Sequence, residues 1–114
     1  MTHTENSWIR DYYAAWDSGD VEAITAWLDD AVVLEDVAKQ HIVTGAAEAR
    51  EFVAKALKLV PGATYEVVTA MTCGEDFAAE WVMHPVGLRG SSVGTFRNGK
   101  VVGNRDYWNA APTG

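Results

Sequence analysis

SSVGTFRNGKVVGNRDYWN, residues 91–109, is the stretch on which the fold turns. Asn98-Gly99 is a two-residue hairpin signal, because the tight turn that matches strand twist needs positive φ at both central positions. It predicts one strand over Ser91 to Phe96 and a last strand from Lys100 to about Trp108. Side chains alternate along a strand, so Val102, Asn104, Asp106 and Trp108 are expected on one face of that last strand.

Working outward, the preceding segment has the same period. Tyr65, Val67, Thr69 and Met71 alternate with Glu66, Val68 and Ala70, and after Gly74-Glu75-Asp76, Phe77, Ala79, Trp81 and Met83 alternate with Ala78, Glu80 and Val82. Two strands and a turn follow from that pattern. Upstream the period changes. Trp8, Ile9, Tyr12, Tyr13 and Trp16 recur at helical spacing over residues 7–18, and Asp20 caps a second helix over about 21–28. Ala31 to Leu34 reads as a short strand ending in Glu35-Asp36, and His41 to Val43 as another. A third helix, roughly 46–58, is stopped by Pro61-Gly62. Helices grouped before an antiparallel run predict a single α+β domain over residues 1–114, with the helices on one face of the sheet. Residues 1–6 and 110–114 are expected to be loose.

With 114 residues, 48% of them apolar and 22% charged, the chain can build one core without staples. A net charge of −7 argues against nucleic acid and anionic membrane partners. No apolar run reaches the ~20 residues that span a bilayer, and Glu5, Arg10 and Asp11 do not make a signal peptide. Cys73 is the single cysteine, which excludes an intrachain disulfide and points to the cytoplasm. His3, His41 and His84 lack metal-ligand spacing, so no metal is expected. Gly87, Gly90 and Gly94 do not open a helix as a phosphate loop would, and nothing calls for a cofactor. Five tryptophans and four tyrosines are many for this length; they fit a lined cavity, an aromatic dimer interface or simply a bulky core.

Several local strings, in order, make the chain similar to the nuclear transport factor 2-like superfamily, in its SnoaL-like polyketide cyclase and ketosteroid isomerase-like branch. They are Trp-Asp-Ser-Gly-Asp-Val-Glu-Ala-Ile (16–24), Asp-Asp-Ala (29–31), Glu-Asp (35–36), Gly45 with Arg50-Glu51-Phe52, Phe-Arg-Asn-Gly-Lys-Val (96–101) and Arg-Asp-Tyr-Trp-Asn (105–109). The resemblance runs from Tyr12 to Asn109 and implies a cystatin-like cone: a curved mixed or antiparallel sheet wrapped by three N-terminal helices around an apolar pocket. It also implies a homodimer formed through the sheet, and a fold of this kind hosts many functions.

The resemblance nominates site residues. Asp36 matches the carboxylate that shuttles a proton, although counting from Asp29-Asp30-Ala31 would place Glu35 there. A carboxylate at the rim of an apolar pocket gains basicity. Tyr12 matches a phenol that donates to a developing enolate. Ser92 stands where the isomerases keep an acid protonated by its apolar surroundings; a serine hydroxyl can donate there too, but as a weaker acid. Asp106 matches the last-strand acid of the cyclases; it either transfers protons or pairs with Arg105 and holds the sheet together. Trp16, Phe77, Ala79, Trp81, Met83, Asn104 and Trp108 are the expected substrate-binding wall. Trp81 and Met83 occupy the positions where epoxide hydrolase-like relatives carry an arginine and its acid, which argues against epoxide opening. The reading is a cofactor-free acid–base enzyme, an isomerase, cyclase or dehydratase, acting on an apolar ring-containing or polyketide-like molecule. A binding protein for small hydrophobes and a protein-interaction domain of the same fold are the alternatives.

Overall fold

The structure is a computed structural model that describes residues 7–109. Nine elements follow in order: α1 (Ser7–Asp17), α2 (Val21–Thr25), β1 (Leu28–Asp36), β2 (His41–Thr44), α3 (Ala46–Leu59), β3 (Thr64–Cys73), β4 (Asp76–His84), β5 (Leu88–Arg97) and β6 (Lys100–Trp108). This is the α+β architecture expected, with a six-stranded, unclosed sheet in the order β2-β1-β6-β5-β4-β3. Every pairing is antiparallel except β1 with β6, which is parallel. The predicted loose ends lie outside the described residues.

The core fills the space between the sheet's inner face and the helices. Ile9, Tyr12 and Tyr13 of α1, Ile24 of α2, and Ala49 and Val53 of α3 meet Val32 and Leu34 of β1, Phe77, Ala79 and Trp81 of β4, and Val101 of β6. Trp8 stacks on Phe96 with centroids 3.7 Å apart and meets Phe77 edge-on at 4.9 Å, closing the narrow end. Much of the surplus of aromatic residues is therefore core.

Three local expectations change. The second helix stops at Thr25 rather than 28. Asp20 caps it by accepting from the Glu22 N–H at 2.9 Å, but the Trp27 carbonyl accepts from the Val101 N–H at 2.7 Å. That bond draws the chain onto β6, so β1 starts at Leu28 instead of Ala31. Residue alternation also breaks twice. The pairing of β3 with β4 shifts between Val67 and Thr69, leaving Val68 as an extra residue. Beyond it Ala70 takes the inner side, while Met71, expected beside Tyr65 and Val67, is 55% exposed. In β6 the pairing with β5 steps from Thr95–Gly103 to Phe96–Val101, so Val102 is the odd residue. Val101 is buried in its place, and Val102 does not share a face with Asn104, Asp106 and Trp108. A bulge of this kind re-aims every side chain beyond it.

Candidate active site

The wide end of the cone holds a cavity of about 330 Å³, at the small end of ordinary ligand sites. Its wall is mostly apolar: Trp16 from α1, Phe52 and Leu59 from α3, Tyr65 from β3, Trp81 and Met83 from β4. Asp36, Asn104, Asp106 and Trp108 face it from β1 and β6. Parallel pairing puts Asp36 and Asp106 side by side in register. The alternative Glu35 pairs with Arg105 on the other face and does not line the cavity.

Asp106 is half-buried at the cavity floor, and it makes no ion pair with Arg105. Its Oδ1 accepts from Ser92 Oγ at 2.6 Å and from Asn104 Nδ2 at 2.7 Å. Ser92 is fully buried and fully engaged. It also lies 2.9 Å from Trp81 Nε1 and 2.5 Å from the Tyr13 hydroxyl. An indole N–H only donates, so Ser92 accepts from Trp81; with its single proton given to Asp106, it accepts from Tyr13 as well. The hydroxyl thus has a fixed polarity, from Tyr13 through Ser92 to Asp106. Asn104 is likewise buried, and its Oδ1 is the only sealed side-chain polar atom without a partner among the described residues.

Burial pushes the Asp106 carboxyl up to about 6; the bonds from Ser92 and Asn104 oppose that rise, and the neighbouring charge of Asp36 adds to it. Burial likewise raises the phenols around it. Tyr65 is pushed up to about 12, and Tyr12 and Tyr13 higher still, each further raised by the Asp106 charge. All three therefore stay protonated and can donate at any ordinary pH. Asp36 accepts from Trp108 Nε1 at 2.7 Å and from the Lys39 backbone N–H at 3.2 Å.

Of the residues expected from sequence, Tyr12, Trp16, Asp36, Trp81, Met83, Asn104, Asp106 and Trp108 come together in the cavity wall, and Ser92 stands directly behind Asp106. Phe77 and Ala79 do not reach it. Each is 2% exposed in the core, because α1 covers this end of β4 and Trp8 occupies the space in front of Phe77. Tyr13, Tyr65, Phe52 and Lys39 are additions. Tyr13 shares the helical stripe with Tyr12, and Tyr65 shares alternation with Trp81; those two patterns were the available signals. Gly90 makes the arrangement possible: a Cβ there would lie 2.5 Å from the Trp81 ring, so only glycine lets the indole lie across β5 and reach Ser92. A second, more open depression of about 540 Å³ on the outer sheet face is lined by Glu80, Arg89, Ser91 and Tyr107, and carries an exposed Arg89–Glu80 ion pair at 3.2 Å. Among the described residues, no helix is long and apolar enough to cross a membrane.

The profile of the SnoaL-like domain family matches residues 9–104. No curated protein matches the chain. Solved structures do. A SnoaL-like protein of unknown function from Burkholderia thailandensis superposes with a TM-score of 0.83 at 17% identity, covering 96% of this chain and 99% of that one. A ketosteroid isomerase-like fold protein from Catenulispora acidiphila, in complex with trimethylamine, gives 0.80 at 16% identity over 90% and 85% of the two chains. SalBIII, an epoxide hydrolase/cyclase-like enzyme in pyran ring formation in the polyether salinomycin, gives 0.76 at 20% identity over 90% and 88%. At these identities the likeness is one of fold.

Proposed function

The chain belongs to the SnoaL-like domain family, and from that premise we propose that it is an acid–base enzyme that uses its own side chains to isomerise, cyclise or dehydrate a small, apolar, ring-containing or polyketide-like molecule. One observation carries this reading. A carboxyl group raised to about 6 stands at the floor of an aromatic cavity, with one oxygen held by Ser92 and Asn104. Its Oδ2 has no partner among the described residues. A base whose pKa lies near the working pH is both available and strong enough to take a proton beside a carbonyl. Asp106 takes that proton on Oδ2 and returns it at another carbon or oxygen. Tyr12 is the donor to the developing oxyanion, and Trp16, Trp81, Met83 and Trp108 hold the ring. Asp36 raises the basicity of Asp106 and is the second proton-transfer candidate.

A cytoplasmic location rests on the lone Cys73. Exposed Val33, Ile42, Met71 and Tyr107 on the outer sheet face fit a homodimer.

The test needs no natural substrate. In deuterated buffer at pH 8, NMR follows exchange of the acidic C–H protons of 2-tetralone, a fused-ring ketone that suits the cavity. The protein is expected to accelerate exchange, the rate to fall as pH drops through about 6, and Asp106→Asn to abolish the effect. Binding of 2-tetralone without any exchange above buffer would leave the binding-protein alternative in its place.

A further inference from the structure

The polar inventory of the cavity is unbalanced. Three side-chain nitrogens of the site are already committed inside the protein: Trp81 Nε1 to Ser92, Trp108 Nε1 to Asp36, and Asn104 Nδ2 to Asp106. The Asp36 and Asp106 carboxylates are adjacent in register, and each has one oxygen that meets no protein donor among the described residues, while the Tyr12 and Tyr65 phenols supply neutral donors but no positive charge. Like charges this close repel, and a shared cation relieves the repulsion. Among the described residues, the only cation in the wall is Lys39. It is exposed at the mouth, and its ammonium forms no ion pair with either acid.

We propose that the substrate of this site carries a protonated amine, held by the Asp36 carboxylate and the surrounding rings, beside the Asp106 carboxylate. The proposal rests on reading the cavity as the substrate site, and narrows that reading to an amine-bearing apolar molecule. An inorganic cation is a poor complement. Among the described residues no three acidic, histidine or cysteine groups cluster to strip its water, and the surrounding wall is apolar. A protonated amine is a better complement: its N–H groups can donate to a free carboxylate oxygen, and the charge with its alkyl substituents is attracted to aromatic faces. Rings supply those faces on several sides. Tyr65 meets Trp81 edge-on at 5.2 Å and Trp16 at 6.0 Å, and Trp108 stands beside Asp36. With the ammonium against Asp36, the apolar remainder of the molecule lies over Asp106, whose free oxygen stays available as the base.

The test titrates tryptophan fluorescence of the full chain at pH 8 with two probes of the same shape: benzyltrimethylammonium, and its uncharged carbon analogue, neopentylbenzene. The ammonium is expected to bind at least about tenfold tighter. Asp36→Asn keeps an acceptor for Trp108 and is expected to remove most of that advantage, while neopentylbenzene binds within about twofold of the parent; that retained binding shows the variant is folded. Equal affinity for the two probes overturns the amine class, and a charge preference that survives in Asp36→Asn overturns its recognition by Asp36; either result leaves the proton-transfer reading intact. Binding of neither probe overturns both.

Discussion

Replacing Ser92 by alanine removes one oxygen atom and unties three bonds, and each consequence can be worked from the geometry. The side chain is fully buried, so water cannot take its place without rearrangement. Trp81 Nε1–H and the Tyr13 hydroxyl, now 2.9 and 2.5 Å from Ser92 Oγ, lose their acceptor. A buried donor left unpaired costs about 1–3 kcal/mol. The phenol can turn toward another acceptor and the indole cannot, so one donor stays unpaired and a loss of about 1–3 kcal/mol follows. For a domain of this size that lowers Tm by roughly 4–13 °C. The third bond sets the chemistry. Ser92 donates to the ionised form of Asp106 and so favours it; without that donor the carboxyl titrates higher. A bond to a charged group is worth about 1.5–3 kcal/mol, or about one to two pKa units, which carries the midpoint from about 6 to about 7–8. Carbon-13 NMR of the aspartate carboxyls across pH, with the Asp106 resonance assigned by its loss in Asp106→Asn, reads the midpoint directly. A variant that melts lower but titrates at or below the parent's midpoint would refute the polarity assigned to the relay. One unchanged in both respects would refute the network itself.

Two other substitutions probe the same site. Asp106→Asn is expected to cost activity and gain stability at pH 7.5. The carboxyl titrates at about 6 in the folded protein against 3.8 for the free group, so folding binds the proton more tightly between those values and loses stability as pH rises through them. Removing the charge restores about 1–3 kcal/mol above pH 6 and nothing below pH 4; thermal melts at pH 3.5 and 7.5 check this, and a gain of the same size at both would contradict it. Gly90→Ala places a methyl group 2.5 Å from the Trp81 ring, so the indole must move and lose Ser92. Overpacking of this kind costs about 1–3 kcal/mol, and the displaced ring should alter the near-ultraviolet circular dichroism; an unchanged spectrum and Tm would refute the close fit.

What sequence could and could not disclose follows from the range of each interaction. The Asn98-Gly99 hairpin, the helical stripe of α1 and the alternation of β4 are local, and the residues that make them are a few positions apart. The inward aim of Asp106 was readable for the same reason, since Asn104, Asp106 and Trp108 lie beyond the bulge and keep a strict period of two. The bulges themselves were not readable. Val68 and Val102 are ordinary strand residues, and only the partner strand shows that one of them is surplus. Phe77 and Ala79 point to the correct face, but whether that face is wall or core depends on how far α1 extends over it. Tyr13 was masked by its neighbour. Adjacent positions on a helix differ by about 100°, and both are buried only because α1 is enclosed widely enough to take both phenols inside.

The parallel pairing of β1 with β6 has a bearing on how the domain comes into being. During synthesis β1 emerges long before the strand that will lie against it, since Trp108 and Asp36, joined by a hydrogen bond, are 72 positions apart. Until β6 arrives, β1 and β2 have no link to the β3–β5 meander within the sheet, and β1 presents an open hydrogen-bonding edge. Closure of that long loop is a slow kind of event, and the interval leaves both edges open to mispairing. The last-made strand is thus the keystone of the sheet, and the two acids meet only when it is set.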